Sequence, residues 1–322
     1  NYGYNAVGLE DLSVNITKTA DQVNWETEKV VLGNLFEGIS GTYLSSKAEG
    51  EVLEKVDFIA FAKVMKSLRD SQLLKDCSQE ISIHLLNSEL LVGVDTTTLV
   101  SYIENDTKYQ EMDFAVMFST LKSSANIAND LKDITSGTGE VTGLDKNDVS
   151  GLINGLTSEG PTKEVLKDLA SAENLEKSGV DSSTAGAVNG IVESITEYDT
   201  TADDAVAVPE TDEEIENATG AVEELLTASK NAQDANVAYV FGNNETEAKA
   251  KMTTFIENMF SSEFIFAATI NRGEELGFTS GGVSNLSAEE KVWMGEVIAE
   301  QNSTNPKATN EKCEQLKDMF GI

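Results

Sequence analysis

Imidazole, thiol and guanidinium are nearly missing from this chain, which has one histidine (His84), two cysteines (Cys77 and Cys313) and two arginines (Arg69 and Arg272) in 322 residues. These groups most often transfer protons near neutral pH, act as nucleophiles, ligate zinc or clamp phosphate, so each of those chemistries has little to work with. Proline is equally scarce, at Pro161, Pro209 and Pro306 only. Long helices therefore meet few breakers. There is also no run of 18 apolar residues: the longest candidates are 81–94, interrupted by His84, Asn87 and Glu89, and Phe264 to Ile270. No helical transmembrane span is expected, and hence no membrane insertion. The chain opens at Asn1 without a charged-then-apolar leader, which fits a processed chain, such as one freed of a signal peptide, or a shortened one.

Positive charge is the other shortage. Lys and Arg total 23 against 56 Asp and Glu, giving a formal charge of −33. Such a surface repels nucleic acid phosphates and anionic lipid alike, which excludes an electrostatic DNA or RNA binder. Two cysteines 236 positions apart either pair in an oxidising compartment or stay buried as thiols, and the free thiol is the preferred reading. Six Asn-x-Ser/Thr sequons, at Asn15, Asn105, Asn217, Asn244, Asn285 and Asn302, are about what chance yields in an Asn- and Ser/Thr-rich chain.

What is present is apolar residues spaced by three and four, within a chain that is 40% hydrophobic and long enough to bury a core. Met252, Phe255, Ile256, Met259 and Phe260 share one helical face, and the run continues through Phe264, Ala267 and Ile270. This stripe reads as packing rather than a cofactor box. Thr211 with Glu214 and Ser287 with Glu290 have capping-box spacing, and Asn305 before Pro306 fits an N-cap with proline at the first helical position. Glycines at 137, 139 and 143 and at 277, 281 and 282 mark loops. Strand-like alternation is limited to Val237–Phe241 and Ile81–Leu86.

A template recurs along the chain. Val56-Asp57-Phe58, Met65-Lys66-Ser67 and Leu74-Lys75-Asp76 correspond to Met112-Asp113-Phe114, Leu121-Lys122-Ser123 and Leu131-Lys132-Asp133. A weaker third copy runs through Asp148-Val149, Leu156, Ser158 and Leu166-Lys167-Asp168, and Leu316-Lys317-Asp318 is a fragment of it. The Asp would cap a first helix, and the Ser a second, antiparallel one. One such hairpin cannot bury its apolar face alone, so neighbours must stack. The expected fold is mostly α, with repeated helical hairpins stacked into an irregular bundle or short solenoid and few or no strands. Thirteen acids and no Lys or Arg fall between Gly179 and Ser229, and the stretch Thr200 to Pro209 is linker-like. This suggests a helical region with two hairpin repeats at 1–135, an acidic helical middle region with its linker at 136–209, and a C-terminal helical region at 210–322.

No motif with specific chemistry emerges. His84 and Cys77 have i, i+7 spacing, which one helix face could bring together, yet no oxyanion-hole or nucleophile-elbow pattern accompanies them. Three Cys and His residues scattered at 77, 84 and 313 cannot make an ordinary zinc site. The segment Asp133 to Asp148 ends like a calcium loop, but its start lacks two side-chain ligands, so a turn capped by Asp145 or Asp148 is the plainer reading. Asp199, Asp203, Asp204 and Asp212 to Glu214 read as a solvated acidic face. Neither a Walker loop nor a strand-borne Gly-x-Gly-x-x-Gly occurs. A glycosidase-like carboxylate pair lacks the usual aromatic platforms, since Trp25 and Trp293 are the only tryptophans. Both tryptophans are instead candidate core or interface anchors, Trp293 the better one.

No catalytic residue, cofactor or metal ligand is therefore assigned. The expectation is a non-enzymatic structural or assembly protein, a component of a large particle such as a virion, whose partners are other protein chains or further copies of itself. The alternatives are a secreted or cell-surface binding module of a low-GC bacterium and, less favoured, a carboxylate-dependent hydrolase. The corresponding locations are the virion or the extracellular space and cell surface.

Overall fold

The computed structural model describes residues 20–45, 58–87, 96–134, 140–235, 245–270, 272–273, 276, 288–304 and 310–322. Fifteen α-helices make these residues 80% helical, and among them there is no strand. Ile81–Leu86, a strand candidate by sequence, is helical: Ile81, Ser82, Leu85 and Leu86 are buried, a spacing that follows the helical period and not alternation. Val237–Phe241, the other candidate, lies outside the described residues, as do the glycine loop at 277–282, Gly137, Gly139, Ser287, Asn305 and Pro306. The chain divides into two compact units, 1–125 with 158–169, and 126–157 with 170–322.

The first unit contains α1 (Trp25–Ser45), α2 (Phe58–Asp70), α3 (Ser78–Leu86), α4 (Thr97–Ile103), α5 (Asp106–Glu111), the start of α6 (Phe114–Ile134) and α8 (Thr162–Leu169). The pair α1 and α2 is packed closely enough to need glycine. A Cβ on Gly38 would stand 2.8 Å from the Ala60 carbonyl oxygen and 3.0 Å from Val64 Cγ2. The core is aromatic: Phe118 lies 5.0 Å from Phe61 and 6.4 Å from Phe58 between ring centroids, and Tyr109 meets Phe114 edge-on at 5.9 Å. Thr98 donates to Asp168 at 2.7 Å and ties α4 to α8.

A polar lock closes the α1–α2 pair. Glu28 is fully buried on α1 and accepts from the Ser71 hydroxyl and from the amides of Gln72 (2.8 Å) and Leu73 (3.4 Å), in the turn after α2. Gln72 returns the contact by accepting from the Asn24 amide at 2.9 Å, and Ser71 Oγ accepts from the Leu74 amide at 3.1 Å. A buried carboxylate is tolerated when its oxygens are occupied by donors in this way.

The second unit is built around α11 (Asp212–Ala235), which packs against α7 (Lys146–Thr157), α10 (Ser182–Glu197), α12 (Glu245–Ser261) and α13 (Glu263–Ile270). The remaining helices are α9 (Ala172–Lys177) beside α10, α14 (Ala288–Thr304) beside α12, and α15 (Asn310–Phe320) beside α14. Gly179 stops α9 in the left-handed region at φ +93°, with the Val180 amide returning to the Leu175 carbonyl at 3.1 Å. Residues 200–210 lie within this unit: Pro209 is buried, and the Val206 amide donates to Tyr198 Oη at 2.8 Å.

The 252–260 stripe is core as expected, with Met252, Phe255, Ile256, Met259 and Phe260 all buried. The run does not continue as one helix, however. Ser262 lies between α12 and α13 and caps the second, accepting from the Ile265 amide at 3.2 Å. The capping box at the start of α11 forms as read, the Glu214 amide donating to Thr211 Oγ at 3.3 Å and the Thr211 amide to Glu214 Oε2 at 3.0 Å.

The repeated template does not set the hairpins. Its second copy is a single helix, α6, in which Ser123 caps nothing. No Gly or Pro interrupts residues 114–134, and neighbouring hydroxyls bond back along the helix, Thr120 to the Val116 carbonyl at 2.7 Å and Ser124 to that of Thr120 at 2.8 Å. In the first copy Leu74 to Asp76 fall in a turn and short 3-10 segment rather than in a second α-helix. In the third, the two helices belong to different units. What the copies share is a helix that carries a buried phenylalanine, Phe58 in α2 and Phe114 in α6; Asp57 lies outside the described residues, and Asp113 caps α6 through the Ala115 and Val116 amides at 3.0 and 3.1 Å. Chain-adjacent helices do pack in pairs, α1 with α2, α2 with α3, α9 with α10, α11 with α12 and α14 with α15. The result is a bundle-like arrangement of neighbouring helices.

Candidate functional site

The side chains scarce enough to be informative are engaged in holding helices. Arg69 leaves α2 and donates through Nη1 to the carbonyls of Met112 (2.6 Å), Tyr109 (3.2 Å) and Gln110 (3.4 Å), while its guanidinium sits 4.8 Å from the Phe114 ring centroid. Those carbonyls lie at the end of α5 and just beyond it, where the helix dipole favours a cation. Arg272 is ion-paired with Glu197 and, at 3.9 Å, with Glu193, both in the last turns of α10. Neither arginine is an open phosphate clamp.

The thiols are equally committed. Cys77 is buried in a 3-10 segment ahead of α3, and its Sγ–H donates to the Leu74 carbonyl at 3.3 Å. Burial pushes this thiol up, and the negative charges of Glu80 and Asp76 add to the effect. A nucleophilic cysteine needs the opposite environment. His84, within α3, is half-buried, and Cys77 lies before that helix rather than on it, so one helix face does not carry both. Cys313, buried on α15, donates to the Ile298 carbonyl at 3.7 Å and is likewise pushed up by burial. Both are free thiols, one in each unit.

Carboxylates provide the remaining chemistry, and burial shifts several of them. Glu223, half-buried on α11, is raised by desolvation despite accepting from the Leu144 amide at 2.8 Å. Its neighbour Glu224 is raised by burial, with Glu140 and Glu223 adding to the effect against a hydrogen bond from Asn258. Asp130 is raised by burial and by Asp148, Asp145 and Asp133. Asp181 behaves differently: burial pushes it up, but the Ser183 and Thr184 hydroxyls, the Thr184 amide and Lys230 together bring it below its ordinary value. It caps α10, and the Lys230 ammonium, on a nearly buried side chain, stands 3.9 Å away.

Residues 135–139 of the calcium-like segment lie outside the described residues, and the acids at its end are engaged within the protein. Asp145 accepts from the Asn147 amide at 2.8 Å at the start of α7, and both Asp148 oxygens accept from Asn126 Nδ2 at 3.1 Å. Among the described residues no group of three or more His, Cys, Asp or Glu is placed to hold a metal ion. No described helix is long and apolar enough to cross a membrane.

The interface candidates lie in separate units. Trp25 begins α1 and is 42% exposed, whereas Trp293 on α14 is half-buried beside Val292, which is 65% exposed. Residue-by-residue reading missed the further exposed apolar side chains of α1, Phe36 at 67% and Val30 at 62%. Trp25 and Phe36 are eleven residues apart, about three helical turns, so they fall on one stripe. Glu28, Leu35 and Gly38 form the buried face of the same helix. The helical period alone points the other way, since Leu32, Leu35, Phe36 and Ile39 have the i, i+3, i+4, i+7 spacing of a buried face.

Comparison with known protein families, curated proteins and solved structures finds no match.

Proposed function

We propose that the chain is a non-enzymatic structural protein, a component of a large particle such as a virion, which works through contacts with other protein chains. The observation that carries this reading is where the scarce side chains go. Arg69 and Arg272 brace helices, and Cys77 and Cys313 are buried with raised pKa values. Large apolar side chains on α1 meanwhile face solvent. Exposed aromatic residues are a usual ingredient of protein interfaces, and a charge of −33 keeps unassembled chains apart in solution.

The test is cross-linking mass spectrometry on the particle or extract that contains the native chain, joined to mass photometry of the purified protein. Reproducible cross-links from α1 or α14 to other chains are the expected result. A chain that stays monomeric at micromolar concentration and yields only internal cross-links would refute assembly. The second reading, a secreted or cell-surface binding module, draws on the acidic, Lys-over-Arg composition. It predicts a monomer that captures one partner at a single face, which the same two measurements distinguish from a multi-neighbour subunit.

A further inference from the structure

We draw no further inference here: the strongest candidate, the outward stripe of α1 that carries Trp25 and Phe36, is an apolar face for which nothing in the structure shows what covers it.

Discussion

Two glycines five residues apart on α1 should respond to the same substitution with opposite signs. In a helix interior, alanine gains roughly 0.5–1 kcal/mol over glycine because the unfolded chain has less backbone freedom to lose. At Gly33 a Cβ meets nothing within 4 Å, so Gly33→Ala should keep that whole gain. At Gly38 the new methyl would stand 2.8 Å from the Ala60 carbonyl oxygen, 3.0 Å from Val64 Cγ2 and 3.1 Å from the Val64 amide nitrogen. Two of those atoms are backbone and cannot swing aside, so α1 and α2 must separate, at a typical overpacking cost of about 1–3 kcal/mol. Net destabilisation of up to about 2 kcal/mol is expected for Gly38→Ala, and the two variants should differ by the overpacking cost itself, roughly 1–3 kcal/mol. Urea titrations can read this through Trp25, the tryptophan of the first unit, in a Trp293→Phe background that silences the second. Equal m-values would make the midpoint difference a stability difference. Stabilisation by both substitutions would refute the close approach of α1 to α2.

Four further outcomes follow. Arg69→Ala should cost the first unit about 2–4 kcal/mol, since three carbonyls lose a charged donor, and Arg69→Lys should recover only part of it because an ammonium lacks the planar guanidinium that sits by the Phe114 ring; a loss below about 0.5 kcal/mol by Trp25 fluorescence would discount the brace. Thr211→Ala should lower the stability of the second unit by about 1 kcal/mol, with Thr211→Ser close to the parent, as measured by urea titration through Trp293. Glu223 is raised in the folded state, so its contribution is most favourable below the ordinary carboxylate value and is lost as pH rises through the raised one. Glu223→Gln keeps an acceptor for the Leu144 amide without the buried charge. It should therefore melt higher than the parent at pH 7.5, with the gap closing on acidification; a gap independent of pH would contradict the assignment. Finally, both thiols should react with a disulfide reagent at pH 8 at least about tenfold more slowly in the native protein than in urea, and rapid native labelling of either would overturn its buried, protonated state.

Features governed by local chemistry were legible in the sequence. The helical class, the buried stripe at 252–260, the Thr211–Glu214 box and the Asp113 cap each depend on residues within a few positions of one another. Ser123 starts no second helix because no Gly or Pro interrupts residues 114–134 and the neighbouring Thr120 and Ser124 hydroxyls bond back along α6, while Ser262, which does mark a break, follows a second serine that bonds back to the Asn258 carbonyl. The carbonyls that Arg69 braces lie 40 to 43 residues away, and the donors to the Glu28 carboxylate 43 to 45. Neither could be found by spacing. For the site, the sequence supplied Trp25 and Trp293 by residue type alone. The outward placement of Phe36 became visible only once Gly38 fixed which side of α1 meets α2.

The Glu28 lock also decides where the polypeptide can be cut. A fragment beginning downstream of α1 would keep Ser71, Gln72 and Leu73 but remove the oxygen atoms they donate to, and it would deny Gln72 the backbone group of Asn24. Recombinant dissection of the first unit should therefore begin upstream of Asn24, because a start site between α1 and α2 would strip α2 of its closing turn.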